Sequence, residues 1–132
     1  MMRRSLLFTI ALAALLGVSA LAYASGDAPG SSGDPVVSKS YVDARTTFSP
    51  IELTEGQRLI GGEGTEIILR SGEATAIDNG NNGVSDLTSG TDLMTGNMVV
   101  SNHLLLVPRD DGRGITAVTD AWVLVRGDYT IQ

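Results

Sequence analysis

From Ile51 onward the apolar residues come in short runs split by Gly, Asn and Asp, and that texture most narrows what this chain can become. No stretch keeps the i, i+3, i+4, i+7 spacing of an amphipathic helix, whereas β-branched runs of four to six residues recur. The expectation is an all-β domain, a compact small barrel or sandwich of seven or eight short strands. Strands are predicted near residues 51–53, 58–60, 66–70, 74–77, 103–107, 115–118, 121–126 and 129–131. Ser71-Gly72 and Gly127-Asp128 each separate two such runs, and glycine reaches the positive φ that a two-residue hairpin needs.

The run 121–126 puts Trp122, Leu124 and Arg126 on one face and Ala121, Val123 and Val125 on the other. Both faces are largely apolar, which predicts an interior strand covered on both sides with Trp122 in the core. Residues 78–97 are the one long polar stretch inside the domain. Asp78, Asn79, Asn81, Asn82 and their neighbouring glycines predict a loop excursion there, with a turn of helix at 85–87.

The N-terminus says where the domain works. Arg3 and Arg4 precede an apolar run from Leu6 to Leu16, and Ala22-Tyr23-Ala24 puts small residues at −3 and −1. That order is a secretory signal peptide cleaved after Ala24, giving a secreted, extracellular or envelope-associated chain. The rival is an uncleaved anchor, since Leu6 to Ala24 is free of charge and barely long enough to cross about 30 Å of hydrocarbon. The break at Gly17 and Ser19 and the Ala-x-Ala ending favour cleavage. Residues 25–35 are rich in Gly, Ser and Pro. The expected organisation is a signal peptide at 1–24, a flexible linker at 25–45 and a single β domain at 46–132.

Cleavage removes two of the nine basic residues and leaves seven against fifteen acidic ones, a charge of −8. Such a chain repels phosphate backbones and anionic lipid, so nucleic acid is not an expected partner, nor is a membrane after cleavage. With no Cys the domain has no disulfide and must be held by its core. His103 is the only histidine, which excludes Cys-type and multi-histidine zinc sites within one chain.

Two resemblances are carried by particular residues. Residues 56–72, which include Ile60-Gly61-Gly62-Glu63-Gly64-Thr65-Glu66, together with Asn102-His103-Leu104-Leu105 and 107–114, resemble a group of small exported proteins of unassigned function from Gram-positive bacteria. That resemblance spans roughly 51–131 and implies one compact exported domain, with no catalytic residue to carry over. Separately, Asp34-Pro35-Val36-Val37-Ser38-Lys39-Ser40-Tyr41-Val42-Asp43 is similar to a short element that precedes the shafts of phage tail fibres and leads into a trimerising region. No heptad pattern follows it here.

Several residues invite chemistry. Asp78, Asn82, Gly83 and Asp86 fit positions 1, 5, 6 and 9 of a calcium loop, which makes Asp78, Asn82 and Asp86 candidate ligands. Gly80 stands at position 3, and Ser89 stands where a bidentate Glu belongs. An Asn/Gly-rich turn explains the same residues without a cation, and calcium is the one cofactor the sequence suggests. Arg109, Asp110, Asp111 and Arg113 crowd between two apolar runs. Turn chemistry accounts for them, or Arg109 and Arg113 project together as a fork that holds a carboxylate. Arg126-Gly127-Asp128 spells an integrin-recognition tripeptide, although a turn explains its Gly and Asp. His103 is expected at a strand edge, hydrogen-bonded to backbone. Glu63/Glu66 and Asp110/Asp111 are adjacent acids, but no nucleophile, base and orienter form a set.

The function expected is that of a non-enzymatic exported or cell-envelope module acting through its surface as a binding or assembly unit. Its partner is then an extracellular or envelope protein, a wall polymer, or a second copy in a homo-oligomer. The alternative is a small cation- or glycan-binding domain, and a small hydrolase comes third. The glycan alternative is weakened if Trp122 lies in the core, because such sites stack sugars on exposed rings.

Overall fold

In the segment Thr65–Ser71 every second side chain is buried (Thr65, Ile67, Leu69), while Glu66 and Ile68 between them are not. The same alternation governs Ala121–Arg126, where Ala121, Val123 and Val125 point inward. One apolar face per strand calls for a second sheet to cover it, and a two-layer sandwich results.

A computed structural model describes residues 30–132, and the predicted signal peptide lies outside them. The chain divides between Val37 and Ser38. In the first part, Gly30 N–H donates to the Asp34 carbonyl at 2.7 Å and closes a turn. The second part runs α1 (Lys39–Thr46), β1 (Ser49–Leu53), β2 (Arg58–Gly61), β3 (Thr65–Ser71), β4 (Ala74–Ile77), β5 (Val84–Asp86), β6 (Thr91–Leu93), β7 (Leu104–Val107), β8 (Gly114–Ala117), β9 (Ala121–Arg126) and β10 (Tyr129–Ile131).

A six-stranded sheet has the order β1-β9-β3-β7-β5-β6 and a four-stranded sheet the order β10-β2-β8-β4. Every pair is antiparallel. Neither sheet closes, so of the two expected architectures the sandwich is the one observed. Leu53, Ile67, Leu69, Leu105, Val107, Val123 and Val125 fill the space from the larger sheet, against Leu59, Ile115 and three alanines from the smaller one.

Three local expectations are corrected. Residues 39–45 of the expected linker are helical. Ser38 caps the helix by accepting from Tyr41 N–H, Lys39 pairs with Asp43 one turn on, and none of its residues is buried. The polar stretch 78–97 contains β5 and β6 instead of a turn of helix at 85–87, because Val84 and Asp86 face inward beside β7. Finally, Ser71-Gly72 and Gly127-Asp128 are not hairpins. Each lifts the chain from the six-stranded sheet to the four-stranded one, β3 to β4 and β9 to β10. Both glycines have positive φ, +80° and +109°, as those corners require.

Candidate functional site

Strand β9 lies between β1 and β3 yet is covered on one face only, which corrects the expectation of a strand buried on both sides. Trp122 is 47% exposed and points outward. Registers extend this outer face across the sheet. Pro50 pairs with Leu124, Leu124 with Ile68, and Ile68 with Leu104. Leu87 N–H donates to the Leu104 carbonyl at 2.9 Å and, at 51% exposed, adds a fifth member. Four neighbouring strands and the residue that follows β5 thus carry one unbroken apolar row, about 19 Å long at the usual strand spacing.

Polar and aromatic groups border the row. On one side Trp122 stands between Glu52 and Ser71, its register partners on β1 and β3. On the other side lie Arg126, Glu66, Leu106, Ser85 and Asp92, again by register. Arg126 Nε donates to Glu66 Oε2 at 2.5 Å, and its guanidinium carbon lies 4.6 Å over the Phe48 ring. Both charges of the Arg126-Gly127-Asp128 tripeptide are therefore paired within the chain, since the exposed Asp128 accepts from Arg45 at 2.6 Å.

Of the two arginines in the proposed fork, Arg113 alone already holds a carboxylate, that of Asp111. Arg113 is 5% exposed. Its Nε and Nη2 grip the two Asp111 oxygens at 2.8 and 2.9 Å, and Nη1 donates to the Gly83 carbonyl. The bond from Arg113 holds the Asp111 carboxyl below its usual range against partial burial, with help from Asn79. Arg109 and Asp110 are exposed and face different clefts. Arg109 lines one of about 260 Å³ with Asn82, Ser85 and Asp92, whereas Asp110 lines others with Gly62 and Asp128. Asp111 and Arg113 line the same cleft as Arg109, so the structure brings these three together and leaves Asp110 apart.

Asp78, Asn82 and Asp86 likewise serve separate purposes. Asp78 accepts from Thr95 N–H and Gly80 N–H, bonds that lower its pKa. Asp86 lies inward, 2% exposed, with Oδ1 accepting from Thr88 and Ser89 N–H. Its Oδ2 lies 2.7 Å from His103 Nδ1, so this histidine is bound to a carboxylate and not to backbone as expected. Among the described residues no cluster of three or more His, Asp or Glu is placed to hold a metal. The hydroxyls of the adjoining turn are committed elsewhere, Thr88 to Leu104 N–H and Ser89 to Thr91.

No described helix is long and apolar enough to cross a membrane. No protein-family model, curated protein or solved structure matches this chain.

Proposed function

We propose that this chain is a non-enzymatic exported module of the cell envelope or medium that engages its partner through the outer face of the six-stranded sheet. Export is supported by the Arg3-Arg4 start, the apolar run and Ala22-Tyr23-Ala24. The observation that carries the contact face is the row from Pro50 to Leu87, with Trp122 beside it. A chain otherwise rich in Asp and Glu carries a continuous apolar stripe there, exposed at Pro50 and Leu87 and half-buried at Leu124, Ile68 and Leu104, and such stripes mark interaction sites.

A glycan reading is favoured by one fact, the outward ring of Trp122 flanked by Glu52 and Ser71. It takes a sugar on one ring, while the row beside it is aliphatic.

Binding of the mature chain to wall polysaccharide and to proteins of the culture medium tests the proposal, with Leu124→Glu and Trp122→Ala beside the wild type. Loss of binding in both variants with unchanged melting supports this face. Binding that survives both variants refutes it. Soluble wall oligosaccharide that shifts Trp122 emission at saturable concentration favours the glycan.

A further inference from the structure

The outer face is its own complement, and that property names an occupant. Along β9 the outward residues are Trp122, Leu124 and Arg126. Trp122 and Arg126 stand two residues to either side of Leu124, hence about 6.7 Å away in each direction. The row through Leu124 runs across the strands. We infer that this face docks on the same face of a second copy, about a twofold axis lying along that row. The inference rests on the reading of this face as the contact surface.

Such an axis sets Leu124 against Leu124 of the second copy and Ile68 against Ile68. It also reverses the direction along the strand, so the Trp122 ring of each copy meets Arg126 of the other. That is the reciprocal pairing a twofold interface requires. A guanidinium over an indole face is the strongest of the side-chain cation–π arrangements. Arg126 is ready for the role. Its side chain is 35% exposed, fixed in place by Glu66 and stacked on Phe48 through one face. Each Arg126 arrives with its own Glu66, so that pair adds no net charge at the centre of the join, while Glu52 and Asp92 lie on the two edge strands. Sheet faces pack on one another at an ordinary small angle, and a row that crosses four strands suits such a contact. One sugar ring or one extended peptide leaves most of it wet.

The test uses the mature chain and reads mass and fluorescence together. Trp122 is the only tryptophan, so its emission reports on this face alone. The expected result is a dimer by light scattering, whose Trp122 emission moves to the red as dilution separates the copies. Leu124→Glu and Leu124→Lys are each expected as folded monomers, because like charges then face each other across the axis. Mixed in equal amounts, the two variants are expected to form the dimer again. Trp122→Ala, at an exposed position that leaves the core intact, is expected to weaken association at least about tenfold, about 1.4 kcal/mol.

A wild-type chain that stays monomeric at every accessible concentration overturns the inference. So does a dimer that persists in Leu124→Glu, or a mixture of the charged variants that stays monomeric. Should the charged variants fail to fold, Trp122→Ala decides alone, and unchanged association counts against the twofold contact. A monomer whose binding of a wall or medium ligand is lost in Trp122→Ala overturns the self-contact and leaves the proposed contact face standing.

Discussion

Asp86 Oδ2 lies 2.7 Å from His103 Nδ1, and this contact ties the β5–β6 turn to the start of β7. Burial pushes the Asp86 carboxyl up, but the bonds from His103 and the Ser89 N–H reverse that and leave it below its ordinary 3.8. The unfolded chain therefore takes up this proton first. The stability Asp86 supplies is complete above 3.8 and is lost as pH falls below it, through the folded value. Asp86→Asn is expected to lose about 1–3 kcal/mol at neutral pH, the worth of hydrogen bonds to a charged group. Its stability is also expected to fall less steeply in acid. Denaturant melts of both proteins, followed from pH 7 into the acid range, check this. Parallel acid profiles remove Asp86 as the source.

Arg113 and Arg109 are expected to differ sharply. Arg113 is the buried side chain that grips Asp111 and the Gly83 carbonyl, so Arg113→Met strands both acceptors and costs about 2–4 kcal/mol. Arg109 is exposed, and Arg109→Ala is expected within about 0.5 kcal/mol of wild type. Chemical denaturation separates them. Similar costs at both positions mean that the guanidinium network is not what holds this loop.

The sheet-changing corner at Gly72, set beside the open turn at Gly80, makes a sharper case for backbone geometry. A Cβ on Gly72 would lie 2.3 Å from the Asp120 carbonyl oxygen, whereas a Cβ on Gly80 meets nothing within 4 Å. Both glycines have positive φ, +80° and +92°. Gly80→Ala thus bears the conformational cost alone, about 1 kcal/mol. Gly72→Ala adds a clash with backbone and is expected to cost at least about 2 kcal/mol more, or to prevent folding. Thermal melts of the two variants give the difference directly.

These positions also show how far the sequence could be followed. The positive φ at Gly72 and Gly127 was legible, because glycine between two β-branched runs has few other uses. Whether the runs stay side by side was not, since a local turn says nothing about which sheet receives the next strand. Strands β5 and β6 escaped notice because Asp86 and Asp92 are poor strand formers, and only contact with β7 makes Val84-Ser85-Asp86 extended. The sequence does carry a signal for the outward position of Trp122. Arg126 shares its face, and a strand face that carries a charged side chain is ordinarily the one turned to solvent. The partner that steadies it, Glu66, lies 60 residues away and only the sheet register brings it near. The sequence shows Arg109, Asp110, Asp111 and Arg113 crowded together, but nothing in their spacing tells that Arg113 turns inward onto Asp111 while Arg109 and Asp110 stay exposed.

Helix α1 is expected to be the least stable element of the folded part. It has eight residues, none of them buried, and an isolated helix that short is marginal in water. Its support is the Ser38 cap, the Lys39–Asp43 pair and one long-range tie, from Arg45 Nη2 to Asp128 Oδ2 at 2.6 Å. Arg45 also lies 5.4 Å over the Tyr41 ring, which helps to fix its side chain. Because the Arg45–Asp128 pair is open to solvent, it contributes at most about 1 kcal/mol, enough to bias a marginal helix and too little to affect the sandwich. Arg45→Ala is therefore expected to speed amide exchange throughout 41–46 while leaving β3, β7 and β9 protected as before. Raised salt is expected to have the same local effect in the wild type. Exchange measured residue by residue decides it, and a loss of protection in β9 alongside α1 would show that the helix supports the sheet.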